Sequence, residues 1–212
     1  LFTREDKNYN IKYLKRANLV ARILEIVPAI LLVGVSGSLS REEAVRASDI
    51  DFFIVSRRGQ IFTSRFWAKA VSFLMLSFRR KGARNYAGKI CLNYFLSEDS
   101  LDFKPHNDKV VFHYQKSIIL FSRGNLLNRL IEKNRWLKPQ FNLSNHRKRM
   151  DYRQKYKGIA LEKLLKKIQL KKIFNDPDYK KNKNGIIISD LELRFHPKKK
   201  MRYGLDKKGT IQ

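Results

Sequence analysis

Two carboxylates stand two residues apart in the segment Ser48-Asp49-Ile50-Asp51, which runs directly into the apolar stretch Phe52 to Val55. At the start of a β-strand this spacing sends both carboxylates to one face of a sheet and Ile50 to the other. Paired anions repel, and proteins keep such pairs where a divalent cation lies between them. Mg²⁺ held by one or two carboxylates together with phosphate oxygens is a common arrangement. Upstream, Gly37-Ser38 follows the apolar run Ala29 to Val35. Glycine lets the backbone turn sharply and approach a ligand, and amides at the start of a following helix suit phosphate. Ser38 adds a hydroxyl donor, and Ser48 is placed to fix the loop or to touch a nucleotide. The chemistry these residues can perform together is metal-assisted transfer of a phosphoryl or nucleotidyl group. A lone Asp-x-Asp is usually two surface acids at a strand start; the Gly-Ser turn and the apolar runs on both sides favour the site.

The elements needed to position these groups are legible in the hydrophobic pattern. Apolar residues at Leu14, Ala17, Ala21, Leu24 and Val27 recur at helical steps, and Pro28 ends that helix. Ala29 to Val35 has the length and branching of a buried strand. Leu39 to Val45 is expected to form a short helix, Ile50 to Val55 a second strand, and Gln60 to Arg79 a long helix. Lys89 to Leu96 reads as a third strand, with Ile90, Leu92, Tyr94 and Leu96 on one face and Cys91, Asn93 and Phe95 on the other. Asp108 to Arg135 reads as largely helical, Arg147 to Phe174 as a basic helix broken at Asp176-Pro177-Asp178, and Ile186 to Phe195 as one late strand. The fold class is α/β (α+β), divided into an N-terminal helix (1–28), a core (29–105) and a helical, basic C-terminal region (106–212).

At Gly37-Ser38 and Ser48-Asp49-Ile50-Asp51 the sequence resembles the polymerase-beta-like nucleotidyltransferase superfamily, whose signature is an apolar strand, Gly-Ser, a short spacer and Asp-x-Asp on a further apolar strand. The resemblance covers residues 29–96. It implies a mixed sheet flanked by helices, two Mg²⁺ (or Mn²⁺) ions at Asp49 and Asp51, a nucleotide against Gly37, Ser38 and Ser48, and transfer of a nucleoside monophosphate from a nucleoside triphosphate such as ATP. Asp49 and Asp51 are the catalytic candidates. The stretches KICLNYFLSEDSL and IIISDLELRFHP further resemble an uncharacterised branch of nucleotidyltransferase-domain proteins, which leaves the substrate open. Members of the superfamily generally carry a third carboxylate on the next strand. This sequence has Asn93 there, which lacks the charge and cannot take a proton; Glu98, Asp99, Asp190 and Glu192 are the acids that could replace it.

Basicity is the strongest compositional signal. The 212 residues contain 46 Lys and Arg against 19 Asp and Glu, a formal charge of +27. Residues 146–212 alone hold 21 basic against 7 acidic side chains. Such a surface attracts polyanions and releases their counterions, so nucleic acid, RNA above all, is the expected partner. A 43% hydrophobic content supports a packed core. The single cysteine, Cys91, makes no internal disulfide, and the apolar run Ala70 to Phe78 is far shorter than the roughly 20 residues a membrane span requires. A cytoplasmic protein without a membrane partner is expected, its oligomeric state left open by the sequence. The first residues are polar, unlike a signal peptide, and because they lack an initiating methionine an upstream segment is expected.

Three functions fit: a nucleotidyltransferase acting on RNA, a protein that kept the fold as a nucleic-acid or ribonucleoprotein binding module, and an antitoxin-like enzyme that modifies a protein. Weaker candidates accompany them. Arg65 and Lys69 could reach a triphosphate, though solvated helix positions are as good a reading. His196 could be a ligand or base but reads better as a strand end. His106, His113 and His146 lack ligand spacing, and Cys91 reads as buried and inert. Trp67 and Trp136 read as core or interface, Trp136 being the better base-stacking candidate.

Overall fold

A computed structural model describes residues 4–75, 86–151, 159–181 and 186–195. Its centre is a seven-stranded sheet in the order β5-β4-β1-β2-β3-β7-β6. Helix α1 (Arg4–Leu24) leads into β1 (Ile30–Ser36), the single turn α2 (Gly37–Ser40), β2 (Ile50–Ser56), α3 (Ile61–Leu74) and β3 (Ile90–Ser97). Helix α4 (Asp108–Tyr114), β4 (Ile118–Arg123), α5 (Leu126–Lys133) and β5 (Arg147–Arg149) follow, and then α6 (Ile159–Phe174), α7 (Pro177–Lys181), β6 (Ile186–Ile188) and β7 (Glu192–Phe195). β1 runs antiparallel to both β2 and β4, whereas β2 and β3 are parallel, as the α3 crossover between them requires. The α/β class with a mixed sheet is therefore the fold of the chain.

Both faces of the sheet are covered, which explains why β1 and β2 read as continuous apolar runs. On one face Val33, Val35, Ile50, Phe52 and Ile54 pack with Ala17, Val20 and Leu24 of α1, Phe62 and Val71 of α3, and Leu165 of α6. On the other, Phe53, Val55, Tyr94 and Leu96 pack with Val110 and Tyr114 of α4 and with Leu126, Leu127 and Leu130 of α5. An aromatic cluster knits this second face together. Phe103 and Tyr114 are stacked 4.6 Å apart, and Phe53 meets Phe103 edge-on at 5.5 Å. Fully burying one such ring stabilises the fold by about 1.5–3 kcal/mol.

β3 departs from the alternation expected of it. Phe52 is paired with Leu92 but Phe53 with Tyr94, so Asn93 is an extra residue in the strand. This bulge reverses the faces downstream: Ile90, Leu92 and Phe95 lie in the core beneath α1 and α3, while Tyr94 and Leu96 face α4. Other expectations are corrected as well. The segment read as helical from 108 to 135 contains β4, the stretch from 147 opens with the short strand β5, and the late strand is a hairpin of β6 and β7 turning through Ser189 to Leu191. Helix α3 stops at Leu74, and the expected extension to Arg79 falls outside the described residues, as does His196.

α3 begins without a side-chain cap of its own: Gln60 precedes it and makes no capping hydrogen bond. The acceptor comes from α6 instead. The Glu162 carboxylate receives the Phe62 and Thr63 amides at 2.9 and 2.7 Å and the Thr63 hydroxyl at 2.6 Å. A carboxylate at a helix start also complements the helix dipole, so the basic helix α6 is fastened to the crossover that sets β3 beside β2.

Candidate active site

Ser36, the last residue of β1, stands opposite Asp51 in the antiparallel register, which brings the Gly37-Ser38 turn against the start of β2. Gly37 has φ +73°, and a Cβ there would lie 2.6 Å from Asp51 Oδ2. The position thus demands glycine both for its left-handed backbone and for the room that the carboxylate occupies. The turn is tied forward to the loop: the Ser40 hydroxyl donates to the Gly37 carbonyl at 2.9 Å, and the Glu43 amide to the Ser38 carbonyl, also at 2.9 Å. Arg41 anchors it to α4, its guanidinium 3.9 Å from the Phe112 ring centroid and 2.8 Å from Glu43.

Asp49 ends the loop that leads into β2, and Asp51 lies within the strand. Ser48 fixes this loop, since its hydroxyl oxygen accepts from the Val45 amide at 3.0 Å and its carbonyl accepts from the Gly88 amide at 2.8 Å. The Ile50 amide donates to the Lys89 carbonyl at 2.8 Å, which clamps the start of β2 to the start of β3. Both aspartates are half-buried. In the parallel register Asp51 stands beside Cys91, and one carboxylate oxygen from each aspartate together with Cys91 Sγ all lie within 4.8 Å of one another. The three donors are grouped closely enough to be candidates for holding one ion.

Asn93 lies beside Asp51. Its side-chain nitrogen is 3.5 Å from Asp51 Oδ1. None of the four alternative acids reaches this place. Glu98 and Asp99 lie at the far end of β3, seven or more residues from Cys91, which along an extended strand is about 23 Å. There they bind Arg58 and Arg129. Glu192 sits opposite Leu96, about 16 Å along the strand from Cys91, where burial raises its pKa and Arg194 partly offsets the rise. Asp190, in the hairpin turn, pairs with Lys166 at 2.7 Å.

Two residues join the site without a sequence signal. His113 of α4 presents its ring to the Gly37 turn, with Cε1 3.5 Å from where a Cβ on that glycine would stand. Its neighbour Tyr114 has its pKa raised well above the usual value, by complete burial first and then by the charges of Tyr94 and Asp51. A phenol in that environment keeps its proton. The only route to either would have been the pairing of α4 with the Gly37 turn, a contact between segments some seventy residues apart, an order-of-magnitude separation of the kind that local periodicity does not register.

Other candidates lie elsewhere. Arg65 and Lys69 belong to α3, which covers the opposite face of the sheet from Asp51. Arg65 donates to Gln169 at 2.6 Å and stacks on Phe195 at 4.6 Å. Trp136 stacks on His106 at 4.2 Å and donates to Asp102 at 3.2 Å, so it is used in packing. His146 is hydrogen-bonded to the Ser122 hydroxyl at 2.9 Å. Trp67 is 43% exposed and packs edge-on against Phe66.

A mixed sheet in which a Gly-Ser turn faces two aspartates at the start of the neighbouring strand defines the nucleotidyltransferase class of α/β proteins. Residues 17–192 match the family described as nucleotidyltransferase domain, and the chain belongs to that family. Its chemistry is nucleotidyl transfer from a nucleoside triphosphate, generally with divalent metal, and the chain is accordingly a transferase. Comparison with curated proteins and with solved structures finds no match. Among the described residues no helix is long and apolar enough to cross a membrane.

Proposed function

We propose that the protein transfers a nucleoside monophosphate from a nucleoside triphosphate to a polyanionic acceptor, RNA being favoured, at a metal site formed around Asp49 and Asp51. The observation that carries this reading is the convergence of both carboxylates and the Cys91 sulfur within 4.8 Å, against a glycine turn whose missing Cβ leaves room for Asp51. The donor set fits a divalent cation, since two anionic oxygens that close are costly unless a cation lies among them. When bound, that cation supplies charge stabilisation to the phosphate oxygens as the phosphorus–oxygen bonds change. The chain's own residues do the rest. Gly37 and Ser38 offer the triphosphate a close backbone and a hydroxyl, and Ser48 holds the Asp49 loop in place. The basic surface draws the acceptor.

The test uses labelled nucleoside triphosphates, Mg²⁺ or Mn²⁺, and RNA, protein and small-molecule acceptors in parallel. Transfer to RNA is expected, falling by about 100- to 1000-fold in Asp49→Asn and in Asp51→Asn, the scale seen when a group that stabilises transition-state charge is removed. Label on protein instead would favour an antitoxin-like modifying enzyme. Asn93 motivates one further reading, a binding module that retains the fold without the reaction. It predicts RNA binding that survives loss of both aspartates, with no transfer under any metal, and that pair of results would displace the enzymatic proposal.

A further inference from the structure

Asn93 leaves the site one negative charge short of three, and Cys91, two residues earlier on the same strand, is the third donor grouped with the two aspartates. Cys91 is the only cysteine in the sequence. It is 4% exposed, stands beside Asp51 across the parallel β2–β3 pair, and turns its sulfur to within 4.8 Å of carboxylate oxygens from both Asp49 and Asp51. Its thiol faces both carboxylates, a place where sulfur acts either as an S–H donor to them or, once deprotonated, as a ligand beside them.

Resting on the metal-dependent reading above, we propose that Cys91 is the third protein ligand of this site and that the site selects a thiophilic divalent ion over Mg²⁺. On binding, the Sγ–H bond breaks, a sulfur–metal bond forms and the proton passes to solvent; no electron is transferred. A thiol that coordinates a metal is deprotonated outright, so the ion meets three negative charges, the complement that a third carboxylate would have supplied. Sulfur changes which ion is held. Mg²⁺ is a hard cation that takes oxygen ligands in near-ideal octahedra. A site of two carboxylates and one thiolate favours Zn²⁺, Co²⁺ or Cd²⁺, with Mn²⁺ the least disfavoured of the harder ions.

The experiment titrates the intact, reduced chain with Co²⁺ and Cd²⁺ while following the near-ultraviolet sulfur-to-metal charge-transfer band, and measures Mg²⁺ and Mn²⁺ binding by calorimetry. With one cysteine in the chain, any such band belongs to Cys91. The expected result is a band that saturates at one ion per chain and disappears in Cys91→Ser and in Asp51→Asn. Cys91→Ser should weaken Cd²⁺ binding by about 10- to 100-fold, the range for losing a group that supports a metal site. Its Mn²⁺ affinity should change far less. Cys91→Asp should reverse the preference, gaining affinity for Mg²⁺ and losing it for Cd²⁺, an outcome that a packing role would not produce.

Co²⁺ binding without a band, or equal Cd²⁺ affinity in wild type and Cys91→Ser, overturns the sulfur ligand while leaving Asp49 and Asp51 as the metal site. A band that persists in Asp51→Asn also overturns it, by putting the metal elsewhere. Failure of the wild-type chain to bind any divalent ion, with or without nucleotide, removes this inference and the proposed function together. Should Cys91→Ser fail to fold, the wild-type band and its loss in Asp51→Asn still decide the matter.

Discussion

Gly37 carries two constraints at once, a left-handed backbone and contact with the Asp51 carboxylate. Gly37→Ala meets both. The strained φ costs on the order of 1–3 kcal/mol, and the new methyl group must displace Asp51 from its place. Stability in a denaturant titration should therefore fall by about that amount, and transfer activity should fall further than the stability loss accounts for. Unchanged activity in a folded Gly37→Ala variant would separate the turn from the site. The closeness of the Gly37 turn to Asp51, and of Asp49 to Asp51, was legible in the sequence because these residues lie near one another along the chain. Cys91 and His113 were not. The cysteine's place beside Asp51 depends on strand register, and the histidine's place beside Gly37 on the packing of α4, neither of which leaves a periodic trace.

The elements show a related division. β1, β2 and α3 were legible because their apolar runs match one secondary structure and are bounded by Pro28, Gly37 and Gly59. β4 was missed since a short apolar run, IILFSR, suits a buried strand and a helix turn equally. The Asn93 bulge inverted the faces of β3 because a one-residue insertion carries no compositional mark. Between elements, the Glu162 cap on α3 predicts that Glu162→Ala, which strands the buried Phe62 and Thr63 amides, lowers stability by about 1–3 kcal/mol in urea titration. A change near zero would mean that water replaces the cap.

Lys69, also on α3, has its pKa lowered to about 7, by burial first and by Arg65 and Lys172 next. Between pH 7 and the ordinary lysine range the unfolded chain holds a proton that the folded chain has lost, so stability should rise with pH across that window and level off below it. Lys69→Met should flatten the slope and stabilise the protein at neutral pH, as read from melting temperatures at several pH values. An identical slope in both proteins would assign it to another group.

At the scale of the molecule, 46 basic against 19 acidic residues set the conditions for any encounter. RNA binding should weaken linearly in log–log dependence on salt, with a slope of about −0.7 per neutralised phosphate for single strands. The slope should be shared by wild type and Asp51→Asn if the basic surface and the site act separately. A salt-insensitive affinity would remove RNA as the favoured acceptor. The composition pointed to such a partner; which face carries it was not legible, because charge counts have no direction.

The order of strands also has a temporal meaning. β1 is synthesised first and lies inside the sheet, whereas among the described residues the outer flank of β3 is paired with residues 191–195, near the far end of the sequence. While the ribosome is still making the segment between them, that flank is a row of unpaired amides and carbonyls open to any other extended chain. The sheet's vulnerability to misassembly is therefore concentrated in the interval of translation that separates its third strand from its seventh.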